Sequence, residues 1–227
     1  MKKLKNLQKR ILLGITGGTE KEWRSKLNEI NKLKIRKIAL FLEEYKKEQR
    51  EKIYQALLKS SIKEIPLVHA RHDMNKEEYF FLIKHFKTKY FNLHKNLFKN
   101  LRKVDGLQSQ LLFELSYHNT INYKIDVRKI AGFCIDLSHF KASEERWTNE
   151  FEYVFKREAV KRYFIANHLN GYSEKKETDV HKITHLSEFN YLRTLPNFIF
   201  GKFIALEVSN SIKSQIKFKK YLLKLLK

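Results

Sequence analysis

The sequence predicts a single α/β domain spanning residues 1–227, a closed (β/α)8 TIM barrel in which parallel strands alternate with helices. Three observations predict it. Short apolar runs recur along the whole chain, as buried parallel strands do. Longer amphipathic, charged stretches separate them and read as the covering helices. Most runs also end downstream on a carboxylate or an imidazole, and a parallel barrel gathers its downstream strand ends at one mouth.

Taken in order, the first strand is Ile11 to Ile15, followed by Thr16-Gly17-Gly18 and a helix capped near Thr19 with Glu22 three residues on. The Gly17-Gly18 pair reads as a tight strand-to-helix turn. Strand two is Lys37 to Leu42 and ends at Glu43; the charged helix after it carries Tyr45, Ile53, Ala56 and Leu57 toward a core. Strand three, through Ile65-Pro66-Leu67-Val68, ends at His69, and Asn75 caps a helix running through Phe80, Phe81, Ile83 and Phe86. Strand four, Tyr90 to Leu93, ends at His94. Strand five follows the Asp105-Gly106 turn and ends at Glu114. Strand six, Phe133-Cys134-Ile135, ends at Asp136, and a helix from about Ser143 to Arg162 leads to strand seven, which ends at His168. A polar loop, Asn170 to Lys182, follows. Strand eight, Phe203 to Leu206, ends at Glu207, and a basic amphipathic helix, Ile216 to Lys227, closes the chain with Phe218, Leu222, Leu223 and Leu226 inward. Trp23 and Trp147 read as residues packing helices onto the barrel.

Composition agrees with one globular core: 42% hydrophobic and 13% aromatic residues, with too few prolines and glycines for long linkers. One cysteine, Cys134, excludes an intrachain disulfide and reads as strand packing. The apolar patch after the basic Met1–Arg10 segment is too short for a signal sequence or a span, so a soluble cytoplasmic protein with no membrane partner is expected. The net charge of +22 suits a phosphate-bearing substrate, DNA or a sugar phosphate among them. The lysines alternate with glutamates, as in Glu43-Glu44-Tyr45-Lys46-Lys47-Glu48, so a dispersed solvated surface accounts for the charge equally well.

Chemistry concentrates at the strand ends. Asp136 and His139 stand three apart, and Asp179-Val180-His181 sends two side chains the same way in an extended segment. Mixed carboxylate and imidazole donors suit zinc, manganese or ferrous iron. His72, His85, His118 and His185 fall outside the pattern, although His72 and Arg71 stand beside His69 as substrate contacts on the rim, with Glu43 at the end of strand two as another. The sequence also admits a non-catalytic nucleic-acid-binding barrel, motivated by the charge.

The ordered motifs Phe113-Glu114-Leu115-Ser116, Cys134-Ile135-Asp136-Leu137-Ser138-His139, His168 with Asp179-Val180-His181, and Leu206-Glu207-Val208 resemble the xylose isomerase-like barrel superfamily. That superfamily includes sugar isomerases, epimerases and the endonuclease IV type of abasic-site nuclease. The resemblance implies a one-ion isomerase site on Glu114, Asp136, His168 and Glu207. The nuclease type implies three ions: one on His69, His94 and Glu114, a second bridged by Glu114 to Asp136, His168 and Glu207, and a third on His139, Asp179 and His181. Glu114 and Glu207 are the expected catalytic carboxylates. A phosphodiester or phosphate-ester hydrolase is the first expectation, and a sugar or sugar-phosphate isomerase or epimerase the alternative. The chain departs from the nuclease pattern at Ala70-Arg71-His72, where that family has a tyrosine, and in its short loops after strands two and three.

Overall fold

In the computed structural model, residues 4–94, 105–115, 129–146, 148, 152, 154, 156 and 163–227 are described. A short helical turn, α1 (Leu7–Arg10), leads into the first apolar run, which splits at Leu13 into β1 (Ile11–Leu12) and β2 (Gly14–Ile15). Strands β3 (Lys37–Phe41), β4 (Glu64–His69), β5 (Tyr90–Leu93), β6 (Leu111–Leu115), β7 (Gly132–Asp136), β8 (Phe164–Leu169) and β11 (Phe203–Leu206) supply the other seven staves. Neighbours pair in parallel from β11 through β8, β7, β6, β5 and β4 to β3. β1 then pairs with β11 and β2 with β3, so the first run closes the ring from both sides. The eight expected strands are the eight staves. The split run passes between its neighbours at Gly14, whose backbone N–H and C=O both bond to the buried Gln215 amide.

Strand periodicity of two sorts the residues. Leu12, Ala39, Phe41, Leu67, Leu112, Cys134, Ala166, Phe203 and Ala205 form one buried cluster, filling the bore. Their neighbours, among them Ile38, Leu40, Val68, Phe91, Phe133, Ile135 and Ile204, pack instead with the helices in a second, larger cluster. Two residues beyond the inner Phe41, Leu67, Leu112, Cys134, Ala166 and Ala205 stand Glu43, His69, Glu114, Asp136, His168 and Glu207. The alternation that fills the bore thus also delivers the polar side chains to its downstream mouth.

The helices follow their caps. Thr19 and Glu22 form a capping box on α2 (Glu20–Lys32), which buries Trp23, Leu27 and Ile30. α3 (Lys47–Leu58) buries Ile53, Tyr54 and Leu57, with Tyr45 buried just ahead of it and Ala56 only partly covered. Asn75 and Glu78 cap α4 (Lys76–Phe86), which turns Tyr79, Leu82 and Phe86 inward and leaves Phe80 exposed.

Three expectations need correction. A helix the sequence did not predict, α5 (Leu137–Glu145), follows strand six at once because Asp136 caps it, accepting from His139 N at 2.9 Å, while most of the helix expected over 143–162 lies outside the described residues. The polar loop after His168 contains an antiparallel hairpin, β9 (Gly171–Ser173) with β10 (Thr178–Val180). The last helix, α6 (Ile212–Leu225), starts four residues early because the Ser211 hydroxyl caps Ser214 N. It buries Phe218 and Leu222, with Leu226 at its end, and leaves Leu223 partly covered. Trp147, His118 and the helix expected beyond residue 146 lie largely or wholly outside the described residues.

Between α3 and α4 the fully buried Arg50 grips both carboxylate oxygens of Glu78, at 2.8 and 2.9 Å, and bonds Tyr45 O and Asp73. Arg50→Met strands Glu78 in the core and is expected to cost about 3–5 kcal/mol. Thermal unfolding should register this as a midpoint lower by roughly 10 °C. Burial alone would raise the Glu78 carboxyl, but Arg50 and Tyr54 hold it below its ordinary value. Its contribution is therefore full above the ordinary carboxylate range and is lost on acidification.

Candidate metal centre

Five strand ends, those of β4, β6, β7, β8 and β11, meet at the floor of the mouth. His168 Nδ1, completely buried, lies 3.1 Å from Glu114 Oε1 and 3.2 Å from Glu207 Oε2. His69 Nε2 lies 3.2 Å from Glu114 Oε2 and 2.8 Å from Glu43 Oε2, and His69 Nδ1 is 3.9 Å from Glu207 Oε1. β7 and β8 are in register at Asp136 and His168, which sets Asp136 beside them. Donor atoms of His69, His168 and Glu207 fall within 4.8 Å of one another, as do those of Glu114, Asp136 and His168.

These residues fit a divalent ion on an internal criterion. Both ring nitrogens of His69 and of His168 are buried, and none makes an aligned hydrogen bond despite the nearby carboxylate oxygens. Buried polar groups left in that state are costly and rare. Imidazole nitrogens and carboxylate oxygens converging off each other's bonding axes are the arrangement a shared ion satisfies.

The electrostatics favour charge separation at the same point. Burial alone would raise the Glu114 carboxyl, but His168 and His69 hold it well below its ordinary value. Burial alone would lower His168, whereas Cys134, Glu114 and Glu207 raise it. Glu43 behaves like Glu114, with burial overcome by His69 and His94.

Two flanking groups complete the mouth. On one side Glu43 Oε2 accepts from His94 Nε2 at 3.0 Å, with His94 half exposed. On the other, Asp179 Oδ2 in β10 lies 2.7 Å from His181 Nε2 and 3.8 Å from His139 Nε2, and His181 Nδ1 is 3.1 Å from Glu207 O. His181 is pushed up to about 9 by the Asp179 hydrogen bond, and His139 reaches about 9 because Asp136 and Asp179 outweigh its burial. Hydrogen bonds from both histidines depress Asp179.

All nine residues expected as ligands, His69, His94, Glu114, Asp136, His139, His168, Asp179, His181 and Glu207, therefore stand around the mouth. His139 sits in the first turn of α5, the turn that Asp136 caps. Of the expected substrate contacts, Glu43 reaches into the ligand group, Arg71 Nη1 donates to Glu43 O at 2.8 Å, and His72 is exposed. His85 lies exposed on α4 against Phe81, away from the mouth.

Sequence reasoning missed the residues that aim the carboxylates. The buried Asn92 amide donates to Glu114 Oε2 at 2.7 Å. The buried Asn170 amide donates to Asp136 Oδ2 at 3.1 Å, while Ser138 Oγ donates to Asp136 Oδ1 at 2.8 Å. Spacing carried a signal: Asn92 stands two before His94 and Asn170 two after His168, the step at which an extended chain repeats a face. Loss of such an outer partner typically weakens metal binding 10- to 100-fold. Asn92→Ala is expected to do so, measured as the zinc dissociation constant by competition with a chromophoric chelator.

A cavity of about 250 Å³ opens above, lined by Thr16, Gly17, Gly18, Phe41, Glu43, Glu44, His181, Glu207 and Ser209. Beside it the buried Lys26 ammonium binds Thr16 O, Thr16 Oγ1 and Val208 O, tying the first stave to the residue after Glu207. Among the described residues no helix is long and apolar enough to cross a membrane.

No protein-family model matches the sequence, and comparison with curated proteins finds no match. Among solved structures the chain is similar to a D-tagatose 3-epimerase-like protein, with a TM-score of 0.54, 15% identity, and 94% of this chain and 98% of that one covered. The chain therefore has the parallel α/β barrel fold of that protein along nearly its whole length.

Proposed function

We propose that the chain is a divalent-metal-dependent enzyme that isomerises or epimerises a small sugar or sugar phosphate at the barrel mouth. The observation that carries this reading is the pair of carboxylates facing each other over His168, with Glu114 and Glu207 oxygens 3.1 and 3.2 Å from the same ring nitrogen. Glu114, Asp136, His168 and Glu207 would hold one ion, which when bound polarises a substrate carbonyl or hydroxyl and makes the adjacent C–H more acidic. Glu207, on the cavity wall, takes the proton from the carbon next to the carbonyl and gives it up to solvent, and Glu114, ionised at rest and protonated from solvent within the cycle, delivers one to the other face. Asn92 holds Glu114 in place for this through its amide. The cavity of about 250 Å³ suits a monosaccharide-sized substrate, and the D-tagatose 3-epimerase-like neighbour supports the same reaction class.

A second reading, the phosphate-ester hydrolase put first on sequence grounds, draws on a different observation. His69 with His94 and the His139–Asp179–His181 group offer more donors than a one-ion isomerase requires. Several clustered ions would neutralise phosphoryl oxygens, and the charge of +22 would favour such substrates.

One experiment separates them. The metal-reconstituted protein is incubated in deuterium oxide with ketoses and ketose phosphates, and in parallel with abasic duplex DNA and an aryl phosphodiester. Deuterium entering the carbon beside the carbonyl is the expected result. Strand or ester cleavage without exchange transfers the assignment to the hydrolase. Neither activity, with salt-sensitive nucleic-acid binding retained, leaves the non-catalytic barrel.

A further inference from the structure

We infer that the upstream end of the barrel, opposite the mouth, is a docking face for an anionic membrane surface. This goes beyond the proposed reaction, since it stands whichever chemistry the mouth performs. It also departs from the expectation of no membrane partner, which rested on the lack of a signal sequence or a span.

Positive charge gathers where the strands begin. Lys202 precedes β11, Arg10 precedes β1, Arg36 and Lys37 open β3, and Lys63 and Lys89 precede β4 and β5. These are consecutive staves of the ring, and all of these side chains but the half-covered Arg10 are exposed. Among the described residues leading into the strands, the carboxylates are Glu64, 3.4 Å from Lys37, and Asp105. Arg36, Lys63, Lys89 and Lys202 make no ion pair among the described residues. The Lys37 and Lys202 ammonium nitrogens lie 6.0 and 5.9 Å from the centre of the same Phe203 ring. Lys219, on α6, donates to Ile11 O at 2.6 Å and is held below its ordinary value by burial and by Lys37. Lysines at helix C-termini, such as Lys32, are favoured by the helix dipole, but strands offer no comparable field. The cations at the strand starts therefore repel one another, and an anionic surface relieves that repulsion. The mouth, by contrast, gathers Glu43, Glu114, Asp136, Asp179 and Glu207.

Two leucines at the same end favour a lipid surface over a nucleic acid. Leu33, just after α2, is 43% exposed, and Leu58, the last residue of α3, is 44% exposed. Both helices run from the mouth to this end. Ser61 ties their ends together, its N–H donating to Asn31 Oδ1 and its hydroxyl to Ile35 O, each at 2.9 Å. Stable attachment to a membrane surface takes two signals, apolar insertion and a polybasic patch, and this face carries both. Nucleic acids are gripped instead through arginine forks and aromatic faces. Here the cations are mostly lysines, and the Arg10 guanidinium is committed to Phe200 O and Gly201 O at 2.7 and 2.6 Å. Docked this way, the barrel opens its mouth to water, away from the bilayer.

The test mixes the full-length protein with vesicles of phosphatidylcholine, alone or with about 30% phosphatidylserine, and reads the bound fraction by co-sedimentation. Binding to the anionic vesicles only is expected, weakening as salt rises from about 0.1 to about 0.5 M. Each basic residue near such a surface adds about fivefold to affinity, so Lys37→Glu, Lys89→Glu and Lys202→Glu together should weaken binding by about 100-fold or more. Lys34→Glu, Arg36→Glu and Lys63→Glu form a second set, used if the first lowers the unfolding midpoint. Charge reversal at Lys76, Lys175 and Lys176, exposed on segments that follow the strands, should weaken binding by less than about tenfold. Leu33→Ser with Leu58→Ser should lower vesicle affinity several-fold. The inference is overturned if wild type ignores the anionic vesicles, or if reversal at the mouth end costs as much as reversal at the strand starts. It is also overturned if the leucine pair has no effect while short duplex DNA or RNA strips the protein from the vesicles, which would make this face a nucleic-acid surface.

Discussion

Glu114→Gln is expected to lower turnover by about 10²–10³-fold or more, the range for removing one preorganised electrostatic group from an active site. The carboxylate is the hub of the mouth, within 3.2 Å of His168 and His69 and bonded to Asn92. Glutamine preserves its shape but removes the negative charge that the imidazoles surround. It also turns one oxygen into a donor that faces either a ring nitrogen or the Asn92 amide. The loss should fall on kcat and kcat/KM together if the carboxylate acts in the transition state. His85→Gln, an exposed change on α4 away from the mouth, is the matched control and should leave both parameters within about twofold.

Metal removal should have the second large effect, on stability. The mouth concentrates Glu43, Glu114, Asp136, Asp179 and Glu207 with five histidines, half of the ten buried. A ligand present at 1,000 times its dissociation constant stabilises the folded state by about 4 kcal/mol. For a domain of this size that corresponds to roughly 8–16 °C in the unfolding midpoint. Protein loaded with zinc or manganese should therefore melt about that much higher than protein held in excess chelator. Asp136→Asn should show a much smaller difference between the two conditions. An equal rise in the variant would place the stabilising ion elsewhere.

The sequence made the barrel legible because two periodicities coincide in it. Alternation along each strand put Leu67, Leu112, Cys134, Ala166 and Ala205 in the bore, and the same step of two carried His69, Glu114, Asp136, His168 and Glu207 to its mouth. The capping box at Thr19 and Glu22 and the Asn75 cap were equally readable, since both act within four residues. What depends on more than one segment was not. Asp136 reads as a ligand, yet it also caps α5, and only the backbone path after β7 reveals that. The hairpin β9–β10 hides in a polar stretch because the β10 side chains are only partly covered and show no alternation. Asn92 and Asn170 look like neutral polar interruptions until the neighbouring carboxylates are in place. Glu43 was read as a substrate contact; the adjacency of β3, β4 and β5 at the rim brings its oxygen to two histidines.

The measurement that reaches the central claim most directly is anomalous diffraction from crystals grown with zinc or manganese and collected at the metal's absorption edge. A peak within about 2.0–2.3 Å of donor atoms from Glu114, Asp136, His168 and Glu207 is the predicted result. Crystals with those four side chains ordered and no anomalous density between them, at saturating metal, would contradict it.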